Sequence, residues 1–128
     1  MTERFEKGLE LRKQVLGAAP VTAIVEASKG SFNEDLQVEL TSFVWGDIWS
    51  REGLPLRERS LITLAMLIPL NRSTELKTHI RGALRNGATR KEIHEVFLHA
   101  GAYCGFPAAM TAFRLAKEVF EEDAAKTP

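Results

Sequence analysis

Glu75 and His79 stand four residues apart in the stretch Arg72-Ser-Thr-Glu-Leu-Lys-Thr-His79-Ile-Arg-Gly-Ala-Leu-Arg-Asn-Gly87. On a helix this spacing places a carboxylate and an imidazole one turn apart on the same face. Such a pair can fix the imidazole tautomer and shift its pKa, which an acid/base histidine requires. A surface ion pair, or a histidine hydrogen-bonded in a core, has the same spacing. Gly82 and Ala83 follow at i+3 and i+4 and are small enough to leave room beside the ring. Arg57, Arg59 and Arg72 are the next candidates, because a planar guanidinium holds a carboxylate through two parallel hydrogen bonds. Each is equally well read as a solvated surface charge. Trp45 and Trp49 lie in Trp45-Gly-Asp-Ile-Trp-Ser-Arg-Glu-Gly-Leu-Pro55, where two aromatics either bury a core edge or wall a ligand pocket. Asp47, between them, is a weaker second acid.

Other reactive residues carry less. His94 and His99 are five apart, so they do not form the i,i+4 pair of a helical zinc protease site, and no metal site is expected. Cys104 is a lone cysteine beside Tyr103, read as a buried inert thiol, and it can form no intrachain disulfide. Glu92 is explained by a capping box with Thr89. No phosphate-cradling glycine loop or dinucleotide fingerprint is present.

The elements that must position these residues are helical throughout. Residues 3–16 carry Phe5, Leu9, Val15 and Leu16 among charges and end at Gly17, a helix stop. A second helix is expected over 20–28, opening on Pro20. A third runs from Ser31 or Asn33 to about Trp45, with Leu36, Leu40, Phe43 and Val44 as its apolar face. The tryptophan segment reads as a loop or short helical turn. A fourth helix starts near Pro55 and is apolar all round from Leu61 to Leu70, which predicts the central, most buried helix, ended or kinked by Pro69. Ser73 can cap the fifth, which Asn86-Gly87 terminates. The sixth runs from the Thr89 box through Tyr103. Cys104 to Pro107 breaks it, and a last helix follows to about Glu122. The expectation is one all-α domain over 1–128, with six to eight helices.

Composition narrows the function classes. Seventeen basic and seventeen acidic residues cancel, so neither nucleic acid nor an anionic membrane is the expected main partner. The charged N-terminal stretch is no signal peptide, and the longest apolar run is about half of a membrane span. A reducing cytoplasm is the simplest location.

Several blocks, taken together, resemble a known family. They are Trp45-Gly-x-x-Trp49, Arg59-Ser60-Leu61 followed by Thr63-Leu-Ala-Met-Leu67, Glu75-Leu-x-x-His79, Asn86-Gly87-x-Thr89, and Tyr103-Cys-Gly-Phe-Pro107. In this order they are similar to the γ-carboxymuconolactone decarboxylases over about residues 4–117. The resemblance implies an all-helical fold shared with alkylhydroperoxidases and a homo-oligomer, often a hexamer. It also implies one step of aromatic degradation in the protocatechuate branch, conversion of 4-carboxymuconolactone to the 3-oxoadipate enol-lactone and CO₂. The redox relatives carry two cysteines and a glutamate where this sequence has Arg72, Glu75 and Ser60, and only His79 remains. Disulfide-based peroxide reduction therefore has no mechanism here.

On that resemblance the substrate is a dicarboxylate lactone that serves as its own electron sink, so no cofactor is expected. His79 would protonate the dienolate with Glu75 orienting it. Arg57, Arg59 and Arg72 would hold carboxylates, with Trp45 and Trp49 walling the pocket. A related unsaturated lactone or oxo-acid as substrate, or a non-catalytic ligand-binding oligomer, stays open at this point.

Overall fold

The computed structural model describes residues 2–126, and every regular element among them is helical. The chain divides into two compact units, one up to Leu56 and one from Arg57 onward.

In the first unit, α1 (Glu3–Leu16) is capped by Thr2, whose Oγ1 accepts the Phe5 N–H at 3.2 Å, and is stopped by Gly17 at φ 99°. α2 (Ala18–Ser28) holds Pro20 in its first turn, where a missing N–H leaves no bond unmade. α3 (Glu34–Leu40) passes without interruption into a π-helical stretch, Thr41–Trp49. The tryptophan segment is therefore helical through Trp49, and only residues 50–55 form the turn and loop expected there. Its i→i+5 bonding widens each turn and changes which side chains face inward. Thr41, Ser42, Trp45, Gly46 and Trp49 are buried. Leu36, Phe43 and Val44, expected in the core from a 3.6-residue period, are exposed.

Two glycines explain the close packing of α1 on this stretch. A Cβ on Gly8 would lie 2.0 Å from the Thr41 carbonyl oxygen, and one on Gly46 would lie 2.5 Å from that of Arg4. The backbones touch where a side chain would stand. Val15, Trp45 and Trp49 form the small core of this unit, with Leu11, Leu16, Leu40 and Leu56 against it.

The second unit contains α4 (Leu56–Leu67) from its second residue onward, with α5 (Ser73–Arg85), α6 (Arg90–Cys104) and α7 (Phe106–Lys126). α4 is not the most buried helix. Ser60 and Leu64 are buried on it, while Ile62 and Met66 are exposed, because the unit covers one side of a helix that is apolar all round. It ends at Leu67, two residues before Pro69, and the turn passes through Asn71 at φ 56°. Ser73 is the first helical residue of α5 rather than its cap. Arg72 holds the cap position and makes no side-chain capping bond.

Asn86 and Gly87, at φ 94°, end α5. The Thr89–Glu92 capping box opens α6. The expected break after Cys104 narrows to Gly105, and α7 extends past Glu122. A Cβ on Gly101 would come within 2.9 Å of the Ala109 Cβ and the Phe106 ring, so glycine permits the tight α6–α7 corner. The core joins all four helices through Leu64, Ile80, Ile93, Phe97, Ala112 and Val119.

Candidate functional site

α5 carries Glu75 and His79 one turn apart. Its inward stripe is Leu76, Ile80, Gly82 and Ala83, all buried, and His79 lies at the margin of that stripe, half-buried with its Nδ1 shielded from solvent. Ala83 is part of the close-packed core, so it serves helix packing beside the imidazole. Glu75 is exposed and makes no hydrogen bond or ion pair among the described residues.

Ion pairs to α7 fix where α5 lies. Lys77 Nζ is 2.9 Å from Glu122 and 3.5 Å from Glu118, and Arg81 also pairs with Glu122. Lys77 and Arg81 flank His79 on the helix, so these contacts hold the turn that carries it. The bond from Lys77 lowers the Glu122 carboxyl below its usual range and raises the ammonium of Lys77.

The three arginines are placed differently. Arg57 pairs with both Glu58 and Glu92, so its charge is already answered within the chain. Glu92 has two roles, since it also accepts the Thr89 N–H at 2.9 Å in the capping box. Arg59 is half-buried with its Nε shielded from solvent, and its carbonyl accepts the Thr63 hydroxyl at 2.8 Å. Arg72 is exposed at the start of α5.

Next to Arg59, the fully buried Ser60 hydroxyl accepts the Asn86 Nδ2–H at 2.9 Å, tying α4 to the end of α5. Sequence reasoning took Asn86 only as a helix stop. A buried serine needs a partner, but the sequence does not say which residue supplies it.

Trp45 and Trp49, 3% and 6% exposed, stack on each other at 4.5 Å between centroids in the core of the first unit. Asp47 between them is held by Arg4, whose Nε and Nη2 donate at 3.1 and 2.5 Å. That bond keeps its carboxyl below the usual range, so it stays ionised near neutral pH and holds no proton to donate. Arg12, 6% exposed, donates through Nη1 to Gln37 at 2.9 Å and to Thr41 at 3.1 Å, both neutral acceptors. Burial lowers its pKa. No signal in the sequence separated Arg12 from its exposed neighbours.

Cys104 is exposed, not buried, because it closes α6 on the outward side. It borders an apolar groove of about 590 Å³ between α4 and α6, lined by Leu61, Ile62, Val96 and Tyr103 together with His99 and Glu95. Tyr103 is 82% exposed. Among the described residues no group of three His, Cys, Asp or Glu residues could hold a metal ion. No described helix is long and apolar enough to cross a membrane.

An all-helical chain with an acid/base candidate on one helix and arginines at the ends of two helices defines a class of small helical proteins with a candidate anion site. The carboxymuconolactone decarboxylase family profile matches residues 34–118, and the chain belongs to that family. It is 42% identical to a 4-carboxymuconolactone decarboxylase of Acinetobacter baylyi, over 94% of this chain and 89% of that protein. It is 38% identical to a nitrosuccinic acid decarboxylase of Metarhizium robertsii, over 92% of this chain and 82% of the relative. An uncharacterised 15.0 kDa protein of Paracoccus denitrificans is 29% identical over 69% of this chain.

Proposed function

We propose that the chain is a cofactor-independent carboxy-lyase that converts 4-carboxymuconolactone to the 3-oxoadipate enol-lactone in the β-ketoadipate route of aromatic catabolism. The observation that carries this reading is the 42% identity, across nearly the whole chain, to a decarboxylase of that name. The chemistry is consistent with it. The departing carboxylate lies γ to an unsaturated lactone carbonyl, so losing CO₂ drives electrons onto that carbonyl. The protein has to bind two carboxylates, stabilise the developing oxyanion and deliver a proton to carbon.

His79 is the proton donor in this reading, supported by its place at the margin of a packed face with one ring nitrogen out of solvent. Glu75 is the residue one turn away that would orient it in the substrate complex. Arg72, exposed at the start of α5, is the stronger carboxylate clamp, because Arg57 already answers Glu58 and Glu92; Arg59 is kept as the second candidate. Trp45 and Trp49 are buried in the core of the first unit, which favours a structural part for them over direct contact with substrate. Homo-oligomerisation is supported by the apolar α4–α6 groove with Ile62 and Tyr103 exposed, and a hexamer is the order the family resemblance implies. A cytoplasmic location fits a metabolic enzyme of this kind.

A second substrate class has its own support in the relative named for nitrosuccinic acid. That acid also has two carboxylates and a built-in electron sink, the nitro group. One assay separates the two readings. CO₂ release is followed from 4-carboxymuconolactone generated in situ, and separately from nitrosuccinate, with a chelator present. Rapid release from the lactone at catalytic protein concentrations is expected. Release from nitrosuccinate alone moves the assignment to the nitro acid, and release from neither overturns it.

A further inference from the structure

Four basic side chains and no acidic one line an apolar hollow of about 360 Å³ on α6 and α7. Arg90, Lys91 and His94 come from α6 and Lys117 from α7. The floor is aromatic. Phe97 is fully buried, and Phe113 stands edge-on to it with centroids 5.6 Å apart at 90°. His94 meets Phe113 edge-on at 5.3 Å, and the Arg90 guanidinium lies 4.3 Å from the centroid of Phe120. Phe113 and Phe120 are only half-buried.

The charge here is one-sided in a chain that is neutral overall. A hollow beside α1 is lined by Lys7 and Arg51 but also by Glu10 and Glu52, and an adjoining one on α7, which shares Phe113 and Lys117 with this site, sets Arg114 against Glu118 and also takes in Glu121. Lys91 and Lys117 make no hydrogen bond or ion pair among the described residues. Like charges gathered over a low-dielectric floor raise the local potential and concentrate an anion. A half-exposed aromatic floor favours a flat ring, by stacking or edge contact.

We infer that this hollow binds a small aromatic carboxylate, its ring on Phe113 and Phe120 and its carboxylate among Lys91, Lys117 and Arg90. The volume falls within the roughly 300–1,000 Å³ of small-molecule sites. Both halves of the ligand are recognised by chemistry in place: the cations answer the carboxylate and the phenylalanines answer the ring. An acidic peptide would use the cations and leave the floor bare. No residue of α5 lines the hollow, so it is separate from His79, and occupancy is read without reference to CO₂ release.

The probe is 4-fluorobenzoate, followed by its fluorine NMR line as protein is added. Saturable binding with a Kd of about 1 mM or tighter is expected, as the size of the ligand allows. Benzoate should compete, and cyclohexanemethanol, which has neither the charge nor the aromatic face, should not. The Lys91→Glu/Lys117→Glu variant should weaken binding at least about tenfold. The Lys91→Gln/Lys117→Gln variant serves the same purpose if charge reversal unfolds the protein. Phe113→Leu should weaken it by a smaller factor, and His79→Ala should leave it unchanged. The assignment is overturned by any of three results: no saturable binding to wild type, binding that survives loss of the two lysine charges, or binding lost in His79→Ala. A hexaglutamate peptide that displaces the probe more tightly than benzoate does would overturn the aromatic assignment in favour of a peptide.

Discussion

In the unit up to Leu56, the polar side chains that meet across its helices answer one another. Arg4 holds Asp47, Arg12 holds Gln37 and Thr41, and Gly8 and Gly46 let two backbones touch beneath the tryptophan stack. In the unit from Arg57 onward, the packed core of α4 to α7 coexists with side chains suited to meeting a ligand at its edge. His79 sits at the margin of α5, Arg72 lies open at its start, and Lys91 and Lys117 line a hollow that also holds aromatic rings. The difference teaches where a substitution should register. Changes in the first unit should appear as lost stability, and those at the edge of the second as lost turnover or binding.

The sharpest test of that division is His79→Ala. Turnover of the lactone should fall by roughly 10²- to 10⁴-fold, the usual contribution of a positioned general acid. The melting temperature should change little, because the side chain is only half-buried. Activity within about tenfold of wild type would remove His79 from the acid role.

Gly46→Ala is the counterpart in the first unit. The added Cβ would stand 2.5 Å from the Arg4 carbonyl oxygen, which the backbone can relieve only by moving. A loss of about 3 kcal/mol, at the upper end for overpacking, should lower Tm by several degrees. The protein that stays folded should retain kcat. Unchanged stability would mean that the two backbones are not in contact.

Ser60→Ala should cost less. It removes the acceptor for the Asn86 amide and leaves that donor half-buried, an expected loss of about 1 kcal/mol by denaturant titration. The bond joins α4 beside Arg59 to the end of the helix that carries His79. Loss of the bond should therefore lower turnover modestly as well as stability.

Much of the fold was legible because its signals are local. Gly17, Asn86-Gly87 and the Thr89–Glu92 box act within a few residues, and those helix ends fall where their chemistry demands. The π-helical stretch was not legible. It packs against α1 through Gly8 and Gly46, 38 positions apart in sequence, a contact that no local signal announces. With the winding went the phase of the buried face, which is why Phe43 faces out and Thr41 faces in. The exposure of Ile62 and Met66 was hidden for a related reason: composition says that a helix can be buried, not which neighbours arrive to bury it. At the candidate site, His79 and the arginines could be nominated by type and spacing. That Arg57 is held by Glu92 could not, since a guanidinium's partner is set by where separate helices meet.

The smallest expected effect probes the comparison through pH. Arg4 keeps the Asp47 carboxyl ionised to lower pH than an unfolded aspartate, whose pKa is about 3.9. A carboxyl with a depressed folded pKa contributes stability that is fully present above its unfolded value. That contribution is lost as pH falls through the lower folded value. The Tm gap between wild type and Asp47→Asn should therefore be small and constant above about pH 5 and close as the solution is acidified below about pH 4. Salt at about 1 M should narrow it, because both side chains face solvent. Glu122→Gln should show the same sign, since Lys77 and Arg81 depress that carboxyl in the same way. The two variants should part in turnover. Asp47→Asn should leave kcat unchanged, whereas Glu122→Gln loosens the ion pairs flanking His79 and should lower kcat modestly. If Asp47→Asn instead abolishes CO₂ release in a folded protein, the proton comes from the first unit and the division between the two regions fails.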